Sequence, residues 1–304
     1  QKEGADKNNF YDRFRGRIMF PLQDIHGTLI AFAGRIIGES EPKYLNSPET
    51  PLYVKGRHLF GFNRAKEAIR KQNKALIVEG YFDQMRAHQN GIRNTVATCG
   101  TALTLEQATL LKNHTKRATL IFDSDSAGQS ATKKGFEVLL KQGMSVDVLS
   151  LPSGHDPDSF IYQFGPEKFL EKLKNARPFV ETYIDDVIAG GDLTTPMGKV
   201  AVVNQVLPIL MKVKNTIERT EWISILTERA EIEDQALLTE LKNAIKQDKT
   251  IVNEPLQKDG CPNKQNAELY LVHLMFSDKK LALEIKEKVK IEDFIDPNLR
   301  LIVE

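Results

Sequence analysis

Two short apolar runs that stop abruptly at acidic residues constrain the fold of this chain more than any other feature. Residues 74–83 read KALIVEGYFD, and residues 121–128 read IFDSDSAG. Each run continues into an amphipathic stretch, which is typical of a buried parallel strand that leads into a helix. Open α/β sheets bind ligands beyond the carboxyl ends of their strands, so we expect these acids to lie together at one sheet edge. They are Glu79, Asp83, Asp123 and Asp125.

Strand and helix patterns alternate after residue 74. Strands are predicted at residues 75–78, 94–97, 118–122 and 145–151, and helices at residues 81–89, from 104 onward and at 127–141. Thr104 and Gln107 form a capping-box pattern at the start of one helix, and Gly143 ends another. This alternation predicts a small parallel sheet with helices on both faces. Residues 159–248 show apolar residues at helical spacing, which predicts a helical bundle.

The segment before this sheet is rich in β-forming residues and in cations. Residues 17–22 and 28–33 flank Gly27, which marks a hairpin turn. Residues 42–57 contain three prolines within ten residues, so neither a helix nor a regular strand is expected there. This loop interleaves cations with aromatic rings, which suits single-stranded nucleic acid or nucleotide phosphates, although a polar surface loop has the same composition. Its candidate binding residues are Lys43, Asn46 and Lys55.

Three arginines lie around the predicted strands of the same segment. Taken singly, each is explained by a solvated cation at a strand edge, and a contact to nucleic acid is the alternative. They are Arg15, Arg17 and Arg35.

Composition narrows the classes of function. The net charge of +1 gives no global bias toward nucleic acid, so any basic binding surface must be local. Cys99 and Cys261 are too few for a disulfide framework or a cysteine zinc site, and they suit a reducing cytosol. No apolar run approaches the ~18 residues of a membrane span, so we expect no membrane partner. Because the chain begins with Gln1, we interpret it as a fragment of a longer protein.

The acidic residues indicate metal chemistry. Asp156 and Asp158 form a further pair at the exit of the last strand, which brings the set to six carboxylates. Two close charges repel by several kcal/mol at an intermediate effective dielectric of about 20, and bound cations relieve this. Carboxylates suit Mg²⁺ or Mn²⁺, and two such ions support phosphoryl or nucleotidyl transfer. The alternative is that these acids merely occupy helix N-termini, where the macrodipole favours them.

The acidic motifs resemble those of the Toprim fold, which primases, topoisomerases and some nucleases share. These motifs are Glu79-Gly-Tyr-Phe-Asp83, Asp123-Ser-Asp125 and Asp156-Pro-Asp158, and alone they leave that choice open. The segments before them are more specific, because residues 11–21 (YDRFRGRIMFP), Gly34-Arg35 and residues 42–51 (PKYLNSPETP) closely resemble bacterial DnaG-type DNA primases. The strong resemblance covers residues 10–165, and a weaker helical similarity continues to residue 248.

The resemblance implies a DNA-dependent RNA polymerase that makes short RNA primers from ribonucleoside triphosphates on single-stranded DNA, in the cytoplasm at the replication fork of the nucleoid. It implies catalytic metal ligands at Glu79, Asp123 and Asp125, with Asp83, Asp156 and Asp158 supporting a second metal or the nucleotide. It implies nucleotide or template contacts from Arg15, Arg17, Arg35, Lys43, Asn46 and Lys55.

The resemblance implies that residues 1–72 are the C-terminal part of a basic polymerase subdomain, followed by a Toprim metal-binding domain at 73–158. A helical subdomain at 159–248, a linker at 249–266 and a truncated helicase-binding domain at 267–304 complete the implied domains. The last implies a replicative helicase as partner. The zinc-ribbon cysteines of the family are not in this chain, so we expect zinc only in a missing N-terminal module. Two alternatives stay open: a Toprim nuclease or topoisomerase fragment, and a non-catalytic module that docks nucleic acid or helicase.

Overall fold

The computed structural model describes residues 2–3, 10–39, 41–98, 100, 102–122, 126–232 and 300. The chain separates into two compact units, Gln1–Leu241 and Lys242–Glu304. Arg300 is the one described residue of the second unit, so the architecture below is that of the first. The predicted linker and the predicted helicase-binding segment at 267–304 therefore lie outside the described residues, apart from Arg300.

The N-terminal part forms antiparallel β-structure. Its strands are β1 (Lys2–Glu3), paired with β2 (Phe10–Tyr11), and a three-stranded sheet of β3 (Arg17–Gln23), β4 (Leu29–Ile36) and β5 (Tyr44–Asn46). The hairpin between β3 and β4 is confirmed, and Gly27 in its turn has a φ of 93°, which glycine adopts without strain.

The expectation that residues 42–57 contain neither a helix nor a regular strand is wrong at two short stretches: Tyr44–Asn46 form β5, and Lys55–Arg57 form a single 3₁₀ turn. Tyr44 pairs with Arg35, and Asn46 pairs with Ala33, so β5 extends the hairpin into a sheet. The prolines flank this strand rather than interrupt it, which leaves its backbone donors available to β4.

A second sheet of five strands follows. Its elements are α1 (Phe62–Gln72), β6 (Ala75–Val78), α2 (Tyr81–Gln89), β7 (Thr95–Ala97), α3 (Leu105–Lys112), β8 (Arg117–Leu120), α4 (Ser126–Lys141), β9 (Ser145–Val148) and, later in the chain, β10 (Arg177–Pro178). The strand order is β10-β9-β8-β6-β7, and all pairs are parallel except β10 with β9. The predicted parallel sheet is thus confirmed, with an antiparallel strand added at one edge.

Helices cover both faces of this sheet, as predicted. Leu76 and Val78 of β6 share a buried cluster with Ala87 of α2. The opposite face meets α4, where a methyl group placed on Gly135 would lie 3.5 Å from Leu120. The capping box is also confirmed, because the Thr104 hydroxyl accepts a hydrogen bond from the Gln107 amide at 3.2 Å.

The topology places the candidate site. After β6 the chain moves to β7 on one side and then returns to β8 on the other side of β6. The carboxyl ends of β6 and β8 therefore flank the point where strand order reverses, which is where open α/β sheets bind ligands. Glu79 directly follows β6 at this point.

The remaining described elements of the first unit are helices. They are α5 (Pro157–Phe164), α6 (Pro166–Lys174), α7 (Phe179–Ala189), α8 (Pro196–Lys212) and α9 (Thr216–Ala230). Val202, Val206 and Leu210 of α8 are buried, which confirms the predicted apolar stripe. Among the described helices none is long and apolar enough to cross a membrane.

The two sheets share one core. Phe20 and Ala33 of the antiparallel sheet lie in the same buried cluster as Leu76, Val78 and Tyr81. The antiparallel sheet is thereby packed against the carboxyl end of β6.

Candidate active-site cleft

An open cleft of about 560 Å³ lies where the antiparallel sheet meets the end of β6. It brings together eight of the predicted site residues. Four are acidic, and we call them the acidic wall: Glu79, Asp83, Asp156 and Asp158. Three are basic, and we call them the basic wall: Arg35, Lys43 and Lys55. The eighth is Asn46. Opposite charges gathered from both sheets in one space suit a ligand that carries phosphates together with metal ions.

Asp83 is tied into the acidic wall by two backbone amides. Its Oδ2 accepts a hydrogen bond from the Gly80 amide at 2.9 Å, and its Oδ1 accepts one from the Asp158 amide at 3.1 Å. The side chain is only 6% exposed. Asp83 therefore joins the start of α2 to the start of α5.

The two aspartates of α5 are also hydrogen-bonded within the protein. Asp156 is the N-cap residue, and its Oδ1 accepts from the Ser159 amide at 2.7 Å. Asp158 forms an ion pair with Arg86, whose Nε lies 2.6 Å from Oδ1. The helix-terminus alternative thus explains one oxygen of Asp156, whereas the ion pair with Arg86 accounts for one oxygen of Asp158. A carboxylate has about four acceptor sites, so capacity for a metal ion is left.

The basic wall is positioned by aromatic rings. The Arg35 guanidinium carbon lies 5.3 Å from the ring centre of Tyr44 and 4.8 Å from that of Phe82. Its Nη1 also donates to the Tyr44 hydroxyl at 2.9 Å. Cations over ring faces are attracted to the ring quadrupole, so Arg35 is held at the cleft before any ligand arrives.

Lys55 and Asn46 are anchored by long-range hydrogen bonds. The Lys55 ammonium donates to the Gly100 carbonyl at 3.1 Å. The Tyr81 hydroxyl donates to Asn46 Oδ1 at 3.0 Å, and the Tyr81 ring stacks on Phe20 with centroids 4.9 Å apart. Tyr81 therefore attaches β5 to the segment that carries Glu79.

Four predicted site residues are not among the described residues that line the cleft. Asp123 and Asp125 lie outside the described part of the chain. The Arg17 guanidinium donates to the carbonyls of Gly34 and Lys43, at 3.1 and 3.4 Å, which gives it a role in holding the sheet. Arg15 is exposed, with its guanidinium carbon 5.8 Å from the ring centre of Tyr11.

The sequence reasoning missed two of the aromatic residues of the cleft. Tyr81 and Phe82 line it, yet their place inside an acidic motif was interpreted only as the start of a helix. Two aromatic residues directly after Glu79-Gly80 were the available signal. Arg86 was also missed, because its partner Asp158 is 72 residues away. Within the described ranges, no three His, Cys, Asp or Glu side chains stand close enough together to hold one ion.

Three family models match the chain in order. They are the N-terminal domain of the DNA primase catalytic core at residues 2–66, a Toprim-like domain at 76–161, and the DnaB-helicase binding domain of primase at 183–235. The third match falls on α7 to α9, inside the predicted helical subdomain and upstream of residues 267–304.

Named DNA primases are similar over most of this chain. The one from Clostridium acetobutylicum is 34% identical over 94% of this chain and 49% of its own length. The one from Listeria monocytogenes is 38% identical over 79% of this chain and 39% of its own length. The chain therefore spans about half the length, or less, of these relatives.

Solved structures agree with the sequence matches. A DNA primase domain from Pseudomonas aeruginosa has a TM-score of 0.70 at 36% identity, covering 78% of this chain and 75% of that chain. A DnaG primase catalytic domain bound to single-stranded DNA has a TM-score of 0.69 at 35% identity, covering 74% and 73%. With three primase models in order and this coverage of solved catalytic cores, the chain belongs to the bacterial DnaG-type DNA primases and carries their Toprim fold.

Proposed function

We propose that this chain is the RNA-polymerising core of a DNA primase, which makes short RNA primers on single-stranded DNA from ribonucleoside triphosphates. The observation that supports this best is the cleft that joins the acidic wall to the basic wall. An acidic strand end alone would serve a nuclease equally well. Cations on the facing wall supply what a triphosphate and a template strand need beside the metal ions.

The proposed metal ligands are all carboxylate oxygens, which suits Mg²⁺ or Mn²⁺. We assign Glu79, Asp123 and Asp125 as the catalytic ligands. Asp83, Asp156 and Asp158 support a second metal or the nucleotide, from positions that their protein hydrogen bonds fix. Two such ions, when bound, activate the attacking hydroxyl and stabilise the leaving phosphate.

The chain's own cations bind and orient the nucleotide in this proposal. Arg35, fixed between two rings, and Lys55, fixed at Gly100, face the triphosphate. Lys43 contacts the phosphates or the template, and Asn46 offers its amide to the nucleotide. Arg15 is a template contact beyond the cleft. Arg17 also positions Lys43 through that residue's carbonyl.

The partners follow from the same family membership. The similarity to a DnaG structure bound to single-stranded DNA supports such a template. The match to a helicase-binding domain of primase supports a replicative helicase as partner, through α7 to α9 or through residues 267–304. We place the protein in the cytoplasm, at the replication fork, with no membrane partner. Zinc belongs to a separate template-recognition module.

Ribonucleotide incorporation tests this function. The chain is incubated with single-stranded DNA, Mg²⁺ or Mn²⁺ and labelled ribonucleotides, with and without a short RNA already annealed to the template. We expect RNA synthesis that Asp123→Ala abolishes, with the circular dichroism spectrum and melting temperature unchanged.

Each alternative function gives a different result in the same assay. Cleavage of the DNA without synthesis would support the nuclease alternative, and binding without either would support the docking module. Normal synthesis by Asp123→Ala would contradict the assignment of Asp123 as a catalytic metal ligand.

A further inference from the structure

An exposed tyrosine stands beside the acidic wall. Tyr162 on α5 is 77% exposed, whereas Phe160 and Ile161 on the same helix are each 3% exposed. The guanidinium carbon of Arg86 lies 5.2 Å from the centre of the Tyr162 ring. A ring this exposed gains little from burial, so core packing does not account for it.

Arg86 connects this ring to the cleft. Its Nε pairs with Asp158, which lines the acidic wall. Among the described residues, none accepts a hydrogen bond from Nη1 or Nη2 of Arg86. The outer edge of the guanidinium therefore offers two donors in the fork geometry that matches phosphate oxygens.

The carboxylates of the acidic wall repel a polyanion such as nucleic acid. A nucleic-acid strand that passes the carboxylates of Asp156 and Asp158 needs compensating contacts next to them. Arg86 supplies a positive charge at that place, and Tyr162 supplies an aromatic face with room for a base. This combination holds single strands without reading their sequence.

We propose that Arg86 and Tyr162 form a stacking platform for single-stranded nucleic acid at the rim of the cleft, with a base on the Tyr162 ring and a phosphate at Arg86. The platform rests on the proposed function and extends it, because it gives the strand a path past the acidic wall. It accepts any base, since every base has a π-face.

The test uses the whole chain and two fluorescent DNA strands of equal length, one with bases and one abasic throughout. Tyr162→Ala is expected to weaken binding of the strand with bases about fivefold to tenfold, as loss of one stacking contact does. Binding of the abasic strand stays unchanged, because its phosphates are the same. Tyr162→Trp retains the stacking face, so it restores the affinity, and its added indole fluorescence is quenched by the strand with bases alone.

Met197→Ala is the matched control, because Met197 is 86% exposed and lies on α8. Its affinity for both strands is expected to equal that of the parent chain. Arg86→Gln removes a charge that acts on phosphate, so it should weaken binding of both strands by the same factor. Repeating the comparison with an RNA strand of the same sequence identifies which strand binds the platform. If Tyr162→Ala loses more affinity for DNA, the platform binds the template. If it loses more affinity for RNA, the platform binds the product.

Equal affinities of Tyr162→Ala and the parent chain for the strand with bases would overturn the platform. An equal loss on the abasic strand would overturn it as well. RNA synthesis by the parent chain is measured separately. If the parent chain makes RNA but Tyr162→Ala does not selectively weaken binding of the strand with bases, only the platform is refuted. If Tyr162→Ala selectively weakens that binding but the parent chain makes no RNA, only the proposed function is refuted.

Discussion

The acidic wall is positioned largely by backbone amides, whereas the basic wall is positioned by aromatic rings and by side-chain contacts between the two sheets. Asp83 and Asp156 accept hydrogen bonds from amides at the starts of α2 and α5. Arg35 depends instead on the rings of Tyr44 and Phe82. Asp156 needs only the local chain, and Asp83 needs α5 beside α2 as well. The cations need the packing of one sheet against the other.

The difference predicts how each wall tolerates substitution. An acid that also caps a helix has a structural role besides its proposed chemical one. A cation that extends from a surface strand or loop has little structural role, so its loss is expected to affect ligand binding more than folding.

The largest effect on RNA synthesis is expected within the acidic wall. There Glu79 is proposed to act in the chemistry alone, whereas Asp83 also stabilises the fold. Glu79→Gln removes a proposed metal ligand and should lower RNA synthesis by about 100-fold or more, since a metal supplies several kcal/mol of charge stabilisation. Asp83→Asn should lower synthesis and also destabilise the fold by about 1–3 kcal/mol, because its buried oxygens serve two amides.

Synthesis rates and urea unfolding check this pair. Glu171→Gln on the exposed face of α6 is the matched control and should change neither quantity. If Glu79→Gln and Asp83→Asn lose stability equally, the proposed division of the acidic wall is wrong.

A smaller effect is expected at Lys43 on the basic wall. Lys43→Ala removes one charge that faces phosphate, so binding of single-stranded DNA or nucleotide should weaken a fewfold at low salt. The slope of log affinity against log salt for DNA should decrease by about 0.7 to 1. Fluorescence anisotropy across a salt series measures this, and metal binding followed in parallel should stay unchanged. An unaltered salt slope would argue against a phosphate contact.

The smallest effect is expected from the protonation of two partly buried histidines, His58 and His88. Burial lowers the pKa of His88 on α2, although the hydrogen bond between its ring and the Thr95 carbonyl at 2.9 Å acts in the opposite direction. Burial likewise lowers the pKa of His58, which stacks on Tyr53 beside Lys55, while Asp24 acts against it. Burial therefore favours the neutral form of both side chains.

The sign of the pH dependence follows. A histidine with a lowered folded pKa contributes stability above its ordinary pKa of 6.5, and this is lost as the pH falls below that value. The melting temperature should decrease between neutral pH and about pH 5.5, and His88→Gln should reduce that decrease. An identical pH profile for His88→Gln would show that its burial has no such effect.

The local pattern of the sequence determined the acidic end of β6. The bounds of β6 and α2 agree with the predicted 75–78 and 81–89, because a wholly buried run and a glycine before a helix are local signals. The Gly27 hairpin and the Thr104 capping box were predicted for the same reason. The grouping of cations with acids came from the resemblance to primases, not from periodicity.

Only the tertiary structure decided the contacts that build the cleft. Strand β5 forms because β4 offers it an edge, and Asn46 meets Tyr81 across 35 residues. Arg86 meets Asp158 across 72 residues, which places beside the acidic wall a cation that no local pattern indicates. Helix starts and strand ends depend on neighbours within a few positions and can be recognised in the sequence. Which side chains face each other across the cleft depends on how two sheets pack, and no local pattern records that.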